Sequence, residues 1–186
     1  MEDLSRYEDL QLVELAINGN DRAFAIIVSR YEQQIARTVK GMLGETDSAE
    51  DVGQETFIRF YRSLKKYRGD AALGTYLTRI AVNLSLNELN KQKRTLSLFY
   101  KRDQKEVMVD IPEATDKYED SDMKEIVDKA LKQLDPGFRS VVVLRMLKGY
   151  STKETAEILD LPLGTVLSRL ARAQKSLAKI LKPLSR

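Results

Sequence analysis

Residues 149–177 read GYSTKETAEILDLPLGTVLSRLARAQKSL. Their pattern predicts two short helices joined by a tight turn at Asp160 and Leu161. The second helix begins at Pro162 or Gly164, and it carries cations and hydroxyls but no acid. Such a helix packs one face on its own domain and leaves the other free to enter the DNA major groove. The stretch therefore indicates sequence-specific DNA binding.

The second helix of this pair divides into an apolar side and an outer side. Its apolar side comprises Val166, Leu170, Ala173 and Leu177. Its outer side comprises Thr165, Leu167, Ser168, Arg169, Ala171, Arg172 and Lys175. Arg169 or Arg172 is a candidate for a guanine contact, since base edges are read by the first turns of a recognition helix. Lys175 and Lys179 suit phosphates. A plain amphipathic helix with a basic solvent face is the alternative.

The rest of the chain is also helical by periodicity. Three- and four-residue apolar steps predict helices near residues 10–17, 19–44, 48–64, 75–93, 121–134 and 136–148. Ser48 with Asp51, and Ser151 with Glu154, have capping-box spacing, which predicts helix starts at both serines. No strand and no internal repeat is indicated, so we expect an all-α fold.

Charge is distributed unevenly along the chain, although the net charge is only +3. Residues 58–105 hold twelve Lys or Arg against three acids, and residues 164–186 hold six cations and no acid. Between them, residues 103–122 hold eight acids against two lysines. Two basic blocks that flank an acidic segment suggest two modules that face nucleic acid. Ordinary solvated faces are the alternative for either block.

The acidic segment is also where helical periodicity lapses. Pro112 lies within it, which predicts a flexible linker. We therefore expect two small helical domains, residues 1–95 and 121–186, joined by an acidic linker at 96–120. Fully extended, the 26 residues from Thr95 to Asp120 reach about 85 Å at roughly 3.3 Å per residue. Two turns of DNA span only about 70 Å, so the domains can touch DNA two turns apart.

Composition excludes several kinds of chemistry. The chain has no cysteine and no histidine, which excludes disulfides and thiolate catalysis and removes the commonest general base and zinc ligand. We expect neither a metal nor a cofactor. No apolar run approaches a membrane span, and the first residues, MEDLSRYEDL, are acidic, unlike a signal peptide. We expect a cytoplasmic protein that does not insert into a membrane.

Three blocks in this order resemble a known family. They are AEDVGQETFIRFYRSL at 49–64, GTYLTRIAVN at 74–83, and the C-terminal helix pair, most clearly Gly164-Thr165-Val166, Ser168-Arg169 and Arg172-Ala173. The chain resembles the group 4, extracytoplasmic-function (ECF) sigma factors of the sigma-70 family, which are promoter-specificity subunits of RNA polymerase. The resemblance spans about residues 10–181. It implies a region 2-like bundle followed by a region 4-like helix-turn-helix domain.

For the first block, the resemblance implies a docking surface for core polymerase. Residues that match it are Asp51, Gln54, Glu55 and Phe57. In the family this helix docks on a coiled coil of the polymerase's largest subunit. A helix that mixes acids and aromatics suits such a role, because an apolar anchor supplies affinity and the surrounding charges select the partner.

For the second block, the resemblance implies contacts with the −10 element. The matching residues are Arg68, Gly69, Tyr76, Arg79, Asn83, Lys91, Lys93 and Arg94. Asn83 matches a contact with the opened strand, and the loop at 68–74 matches a pocket for a flipped-out base, with Gly69 and Gly74 giving access to the backbone. Arg79 has two open roles, a phosphate contact or helix packing. Tyr76 stands where family members usually have tryptophan.

For the C-terminal pair, the resemblance implies −35 recognition by Thr165, Leu167, Ser168, Arg169, Arg172 and Lys175. The chain departs from the family at Leu167, a position commonly held by Arg or Lys, and at Ala171, a position often held by a bulkier residue. The expected partners are core polymerase (through its largest and second-largest subunits), promoter DNA and an anti-sigma factor.

In the family, the acidic linker threads the polymerase cleft. Neutralising Asp110, Glu113 and Asp116 is therefore expected to weaken holoenzyme assembly or initiation.

Two alternatives remain for the sequence. One is a transcriptional regulator that uses the same helix pair without polymerase, although the first half lacks the carboxylate cluster of a phospho-receiver. The other is a metal-dependent nuclease that uses Glu50, Asp51 and Glu55. Two-metal sites need carboxylates from several elements, and no second cluster is evident. We therefore expect an initiation factor with no catalytic activity.

Overall fold

The computed structural model describes residues 3–102 and 120–182, and every regular element in these ranges is helical. The helices are α1 (Asp9–Ile17), α2 (Asp21–Leu43), α3 (Asp47–Arg62), α4 (Leu73–Arg102), α5 (Asp120–Gln133), α6 (Pro136–Val142), α7 (Thr152–Leu159) and α8 (Leu163–Leu181). The predicted all-α fold is confirmed. Within the described ranges, no helix is both long enough and apolar enough to cross a bilayer.

Helices α1 to α4 share one core. Their apolar residues recur at three- and four-residue steps, which turns one side of each helix inward. Ile27, Ile35, Phe60 and Leu77 are fully buried there. Phe60 lies at the centre of an aromatic cluster, with ring centroids 6.1 Å from Phe24, 6.2 Å from Tyr67 and 6.0 Å from Tyr76. This core fixes the helices that carry the candidate sites of the first half.

The start of α3 differs from the prediction. The expected capping box of Ser48 and Asp51 is wrong, because α3 begins at Asp47 and its N-cap is Thr46. The Thr46 hydroxyl accepts the Ala49 amide at 3.3 Å, which satisfies an amide at the open end of the helix. Asp47 then lies in the first turn, where its negative charge interacts favourably with the positive end of the helix dipole.

Helix α4 is longer than the sequence predicted. Its expected end was Lys93, but it continues to Arg102. Residues 94–102 contain no Gly or Pro, so the chain has no strong helix breaker there even though apolar periodicity has lapsed. The rest of the predicted linker, with Asp110, Glu113 and Asp116, lies outside the described residues.

Helices α5, α6 and α8 form a smaller core around Leu131, Leu134, Val142 and Ala173. The continuous helix predicted for 136–148 is interrupted, because a π-helical turn, Val143–Leu147, follows α6. A π turn advances the helix more slowly and re-aims the side chains within it. Val143 thereby packs in the first core, whereas Leu144 packs under α7.

The two halves of the chain pack against each other, which the sequence did not predict. Val82 of α4, Leu144 and Ile158 of α7 are each at most 1% exposed and form one apolar cluster across the boundary. We call this contact, together with the hydrogen bonds that surround it, the junction. Its burial places α4 directly against the helix-turn-helix half.

Polar groups complete the junction. The Tyr150 hydroxyl lies 2.9 Å from Thr78 Oγ1 and accepts from Gln34 Nε2 at 3.1 Å. Buried Arg139 donates from Nη1 to the Met42 carbonyl and from Nη2 to the Lys132 carbonyl, both at 2.7 Å. Desolvation lowers the pKa of Arg139. Since buried polar groups are costly when unpaired, these bonds specify one arrangement of the two halves.

The turn between α7 and α8 allows a stability test. Asp160 has φ +52° and ψ +52°, the left-handed conformation that costs an L-residue about 1–2 kcal/mol. We expect Asp160→Gly to raise the free energy of unfolding by about 1 kcal/mol, measured by urea denaturation. The control is Glu157→Gly inside α7, which should lower it by about 1 kcal/mol. Equal losses at both positions would contradict the strain argument.

Candidate nucleic-acid and protein interfaces

The helix-turn-helix pair forms as the sequence predicted. The Ser151 hydroxyl accepts the Glu154 amide at 3.1 Å, and the Glu154 carboxylate accepts the Ser151 amide at 2.7 Å, which confirms this capping box. These hydrogen bonds hold the pKa of Glu154 below its usual value. Helix α7 is capped at its C-terminal end by Asp160, and α8 begins at Leu163 after Pro162. The turn is therefore short and its geometry is fixed at both ends.

Helix α8 presents most of the predicted outer residues to solvent. Val166 and Ala173 are buried, and the other predicted core residues, Leu170 and Leu177, are half-buried. Exposed residues on the outer side are Leu167, Ser168, Ala171, Arg172 and Lys175, whereas Thr165 and Arg169 are half-buried. Exposed positions at four-residue spacing form one row, which is the face available to a groove.

The two candidate arginines of α8 are placed differently. A Cβ added to Gly137 of α6 would lie 3.2 Å from Arg169 Nη1, so this guanidinium lies against its own domain. Arg172 is exposed and carries its charge into solvent. The geometry therefore leaves Arg172 the freer of the two to reach a base or phosphate.

Helix α4 has an exposed polar stripe and a buried face. Arg79 and Asn83 lie four residues apart on the exposed side, and Lys91, Lys93 and Arg94 are exposed further along. Two further polar residues on this side, Asn87 and Asn90, are also exposed and were not predicted from the sequence. Their amide side chains were the available signal, because amides can pair with base edges.

The loop before α4 is tightly packed. The Tyr67 hydroxyl donates to the Ala71 carbonyl at 2.7 Å, and the Tyr67 and Tyr76 rings lie 5.1 Å apart. Gly69 has φ +79°, and a Cβ there would approach Leu10 Cδ2 to 2.7 Å. Leu10 of α1 therefore covers the glycine that was expected to give open access to the backbone. Arg68 beside it is exposed.

Gly74 has a different role from the predicted one. It lies inside α4, where a Cβ would meet the Tyr31 ring at 2.9 Å. It therefore allows α4 to pack closely on α2 rather than opening the loop. Tyr31 is itself held by a hydrogen bond to Asp9, and desolvation with this bond raises the pKa of Tyr31 well above its ordinary value.

A cleft of about 250 Å³ lies between α2 and α3. Gln54 and Phe57, two of the four predicted docking residues, line its α3 wall. The opposite wall on α2 includes the core residue Ile35 together with Val28 and Ala36, which were not predicted from the sequence. Their signal was apolar character beside the face that the core uses. An apolar cleft between two helices suits an inserted side chain of a protein partner.

Of the acids of α3, Glu50 lines this cleft, whereas the predicted docking residues Asp51 and Glu55 do not. Asp51 is exposed, and Glu55 pairs with Arg59 at 2.9 Å one turn later. Glu50 lies at the rim of the cleft. Within residues 3–102 and 120–182, no three potential metal ligands come together.

Comparisons with known proteins match both halves of the chain. The Sigma-70 region 2 family model matches residues 27–95, and the Sigma-70, region 4 model matches residues 124–177. RNA polymerase sigma-H factor of Pseudomonas aeruginosa is 32% identical in an alignment 192 residues long, which covers 98% of each chain. ECF RNA polymerase sigma-E factor of Escherichia coli is 35% identical over 185 residues, which cover 96% of each chain.

Solved structures share the fold. CnrH, solved in complex with the cytosolic domain of CnrY, is 27% identical with a TM-score of 0.66, and the match covers 94% of this chain and 97% of CnrH. The sigma factor RpoE from Bartonella quintana, solved with the anti-sigma factor NepR, is 22% identical with a TM-score of 0.64, covering 88% and 98% of the two chains. Because the relatives match almost end to end and both family models fall in the expected order, the chain belongs to the extracytoplasmic-function group of the sigma-70 family of RNA polymerase sigma factors.

Proposed function

We propose that the two halves of this sigma factor divide promoter recognition between them. Residues 1–95 bind core polymerase and the −10 element, residues 121–186 bind the −35 element, and the acidic segment 96–120 joins them. The positions of the two family matches support this division. Sigma factors are initiation factors and not enzymes, so the nuclease alternative is dropped. A regulator that never joins polymerase is disfavoured, because the similarity covers both halves.

The cleft between α2 and α3 is the observation that carries the polymerase-binding part of this proposal. It is apolar, open and lined in part by the exposed Glu50, which gives an anchor site next to a charge that selects the partner. Gln54 and Phe57 provide its wall on α3, and Glu32, Lys40 and Glu50 provide its charged border. We assign this cleft to core polymerase, with the second-largest subunit contacting the C-terminal half.

The DNA contacts are assigned from similarity to the family, and exposure and charge support part of the set. For the −10 element we assign Arg68, Gly69, Tyr76, Arg79, Asn83, Lys91, Lys93 and Arg94, and for the −35 element Thr165, Leu167, Ser168, Arg169, Arg172 and Lys175. Exposed cations on α4 and α8 suit phosphates, which supply affinity without sequence preference. Tyr76 acts through the loop, since it packs against Tyr67 rather than standing free.

We assign a regulatory protein partner on the same grounds of similarity. CnrH is seen bound to the cytosolic domain of CnrY. A corresponding anti-sigma factor would cover the cleft and the DNA-binding faces of this chain, and we place its action in the cytoplasm.

Reconstitution with core polymerase tests the proposed function. The holoenzyme is used to transcribe fragmented genomic DNA, and the 5′ ends of the transcripts are mapped. We expect defined start sites that share two upstream elements and that are absent with core polymerase alone. If the chain binds core polymerase in no condition, or if no defined start site arises, the proposal is wrong.

Gly53 gives a specific test of the cleft. It lines the cleft, and a Cβ there would meet no atom within 4 Å, so a larger side chain fills the space without a clash. We expect Gly53→Leu to weaken core binding at least tenfold, measured by fluorescence anisotropy of the labelled sigma factor. Its unfolding free energy should not fall, since leucine is the better helix former by roughly 0.8–1 kcal/mol.

The matched control is Gly164→Leu in α8, which also adds leucine at an open helical glycine. It should leave core binding in the absence of DNA within about twofold of the original, as expected for a contact outside the hot spot. Equal effects of the two substitutions would show that the cleft is not the docking surface.

A further inference from the structure

The outward row of α8 is apolar where a DNA-reading helix would be expected to be polar. Leu167 and Ala171 lie four residues apart on one flank of α8, away from the buried Val166 and Ala173, and both are exposed. Leu163, one turn earlier, is 49% exposed, and Leu167 is 50% exposed. Two leucines on adjacent turns therefore form an apolar patch at the start of the helix.

Folding does not account for this patch. The core of the second half is built from other residues, Leu131, Leu134, Val142 and Ala173, with Leu177 packed beside it. About half of the surface of Leu163 and of Leu167 stays in water, so each contributes less to stability than a core leucine does. Their surface is therefore available for a ligand.

The charges around the patch indicate a polyanion as that ligand. Lys175 continues the row of Leu167 and Ala171, Arg172 is exposed beside Lys175, and residues 163–182 contain no acid. Arg169 is drawn back against α6. Cations beside an apolar patch on α8 are complementary to a DNA major groove. Phosphates line the borders of the groove, and base edges form its floor.

Only one natural base edge in the major groove offers an apolar group, and this is the 5-methyl group of thymine. The Ser168 hydroxyl beside Leu167 donates to the Thr165 carbonyl at 3.0 Å, so its proton is used within the helix. We propose that Leu167 is a specificity-determining residue that contacts a thymine methyl group in the −35 element. This inference rests on the proposed function and adds the kind of base that is read.

Uracil substitution tests the contact directly. A promoter mapped with the reconstituted holoenzyme is synthesised with deoxyuridine in place of each −35 thymine in turn, which removes the methyl group and leaves the hydrogen-bonding edges unchanged. We expect one position at which uracil lowers open-complex formation about three- to tenfold, as for loss of one buried methyl contact. In Leu167→Ala the same uracil change should have no more than about a 1.5-fold effect.

Lys175→Ala is the control. It should weaken binding to all sequences alike, through loss of a phosphate contact, and keep the full uracil effect. The inference is overturned if the holoenzyme initiates normally but no uracil position matters, or if the uracil effect persists in Leu167→Ala. Failure to initiate at any promoter overturns the proposed function and this inference with it.

Discussion

Val82→Asp should separate the two halves of the protein. Val82 is fully buried against Leu144 and Ile158 at the junction. A carboxylate there loses its hydration in the joined form and regains it when the halves separate. We expect the free energy of separating the two halves to fall by about 4 kcal/mol, which changes the ratio of separated to joined protein roughly a thousandfold. Small-angle scattering measures it, since a compact chain of this length has a radius of gyration of about 16 Å and separated halves should exceed about 20 Å.

Two further variants sharpen this test. Asn87→Asp adds the same charge to the exposed side of α4 and should leave the radius of gyration unchanged. Tyr150→Phe removes only the hydroxyl that bonds to Thr78 and Gln34, so its shift should be smaller, about 1 kcal/mol. A compact Val82→Asp protein with intact helices would contradict the packing described for the junction.

Phe60→Ala should have the largest effect on stability. Phe60 is fully buried and its ring lies near three other aromatic rings. Its loss leaves a cavity and removes these aromatic pairs, so we expect the free energy of unfolding of the first half to fall by about 3–5 kcal/mol. Urea denaturation followed by circular dichroism measures this change. The loop at Tyr67 and Tyr76 should also loosen, because both rings rest on Phe60.

Tyr61→Ala is the matched control for Phe60→Ala. Tyr61 is the next residue on α3 and contacts Phe24 at a centroid distance of 4.8 Å, but it is 47% exposed. Water can fill the space that it leaves, so the expected loss is about 1 kcal/mol. Similar losses at both positions would mean that the aromatic cluster does not hold the core.

Local signals in the sequence predicted most of the fold. Apolar periodicity located the helices, and the capping box at Ser151 and Glu154 formed as expected. The errors arose where several local signals compete. Thr46 and Ser48 can both cap a helix start, and the structure uses Thr46. The π turn at 143–147 and the junction depend on contacts between distant segments, which periodicity does not report.

The candidate sites were also predictable only in part, because local signals report helix faces but not contacts between distant segments. Helix faces follow from residue spacing, so the exposure of Asn83, Arg172 and Lys175 can be inferred from apolar periodicity alone. Which side chains meet across two helices cannot be inferred in this way. The cleft needs both α2 and α3, and the cover of Leu10 over Gly69 joins segments that are far apart in sequence.

Because the junction must open, it is expected to lower the affinity of the free protein for promoter DNA. A compact body with a radius of gyration of about 16 Å is roughly 40 Å across, whereas two turns of duplex cover about 70 Å. Simultaneous engagement of both elements therefore requires the joined form to open first. Each 1.4 kcal/mol that favours closure lowers the apparent affinity for bare DNA tenfold. A polymerase that holds the halves apart removes this penalty in advance, so we expect the free protein to bind promoter DNA weakly until it joins polymerase.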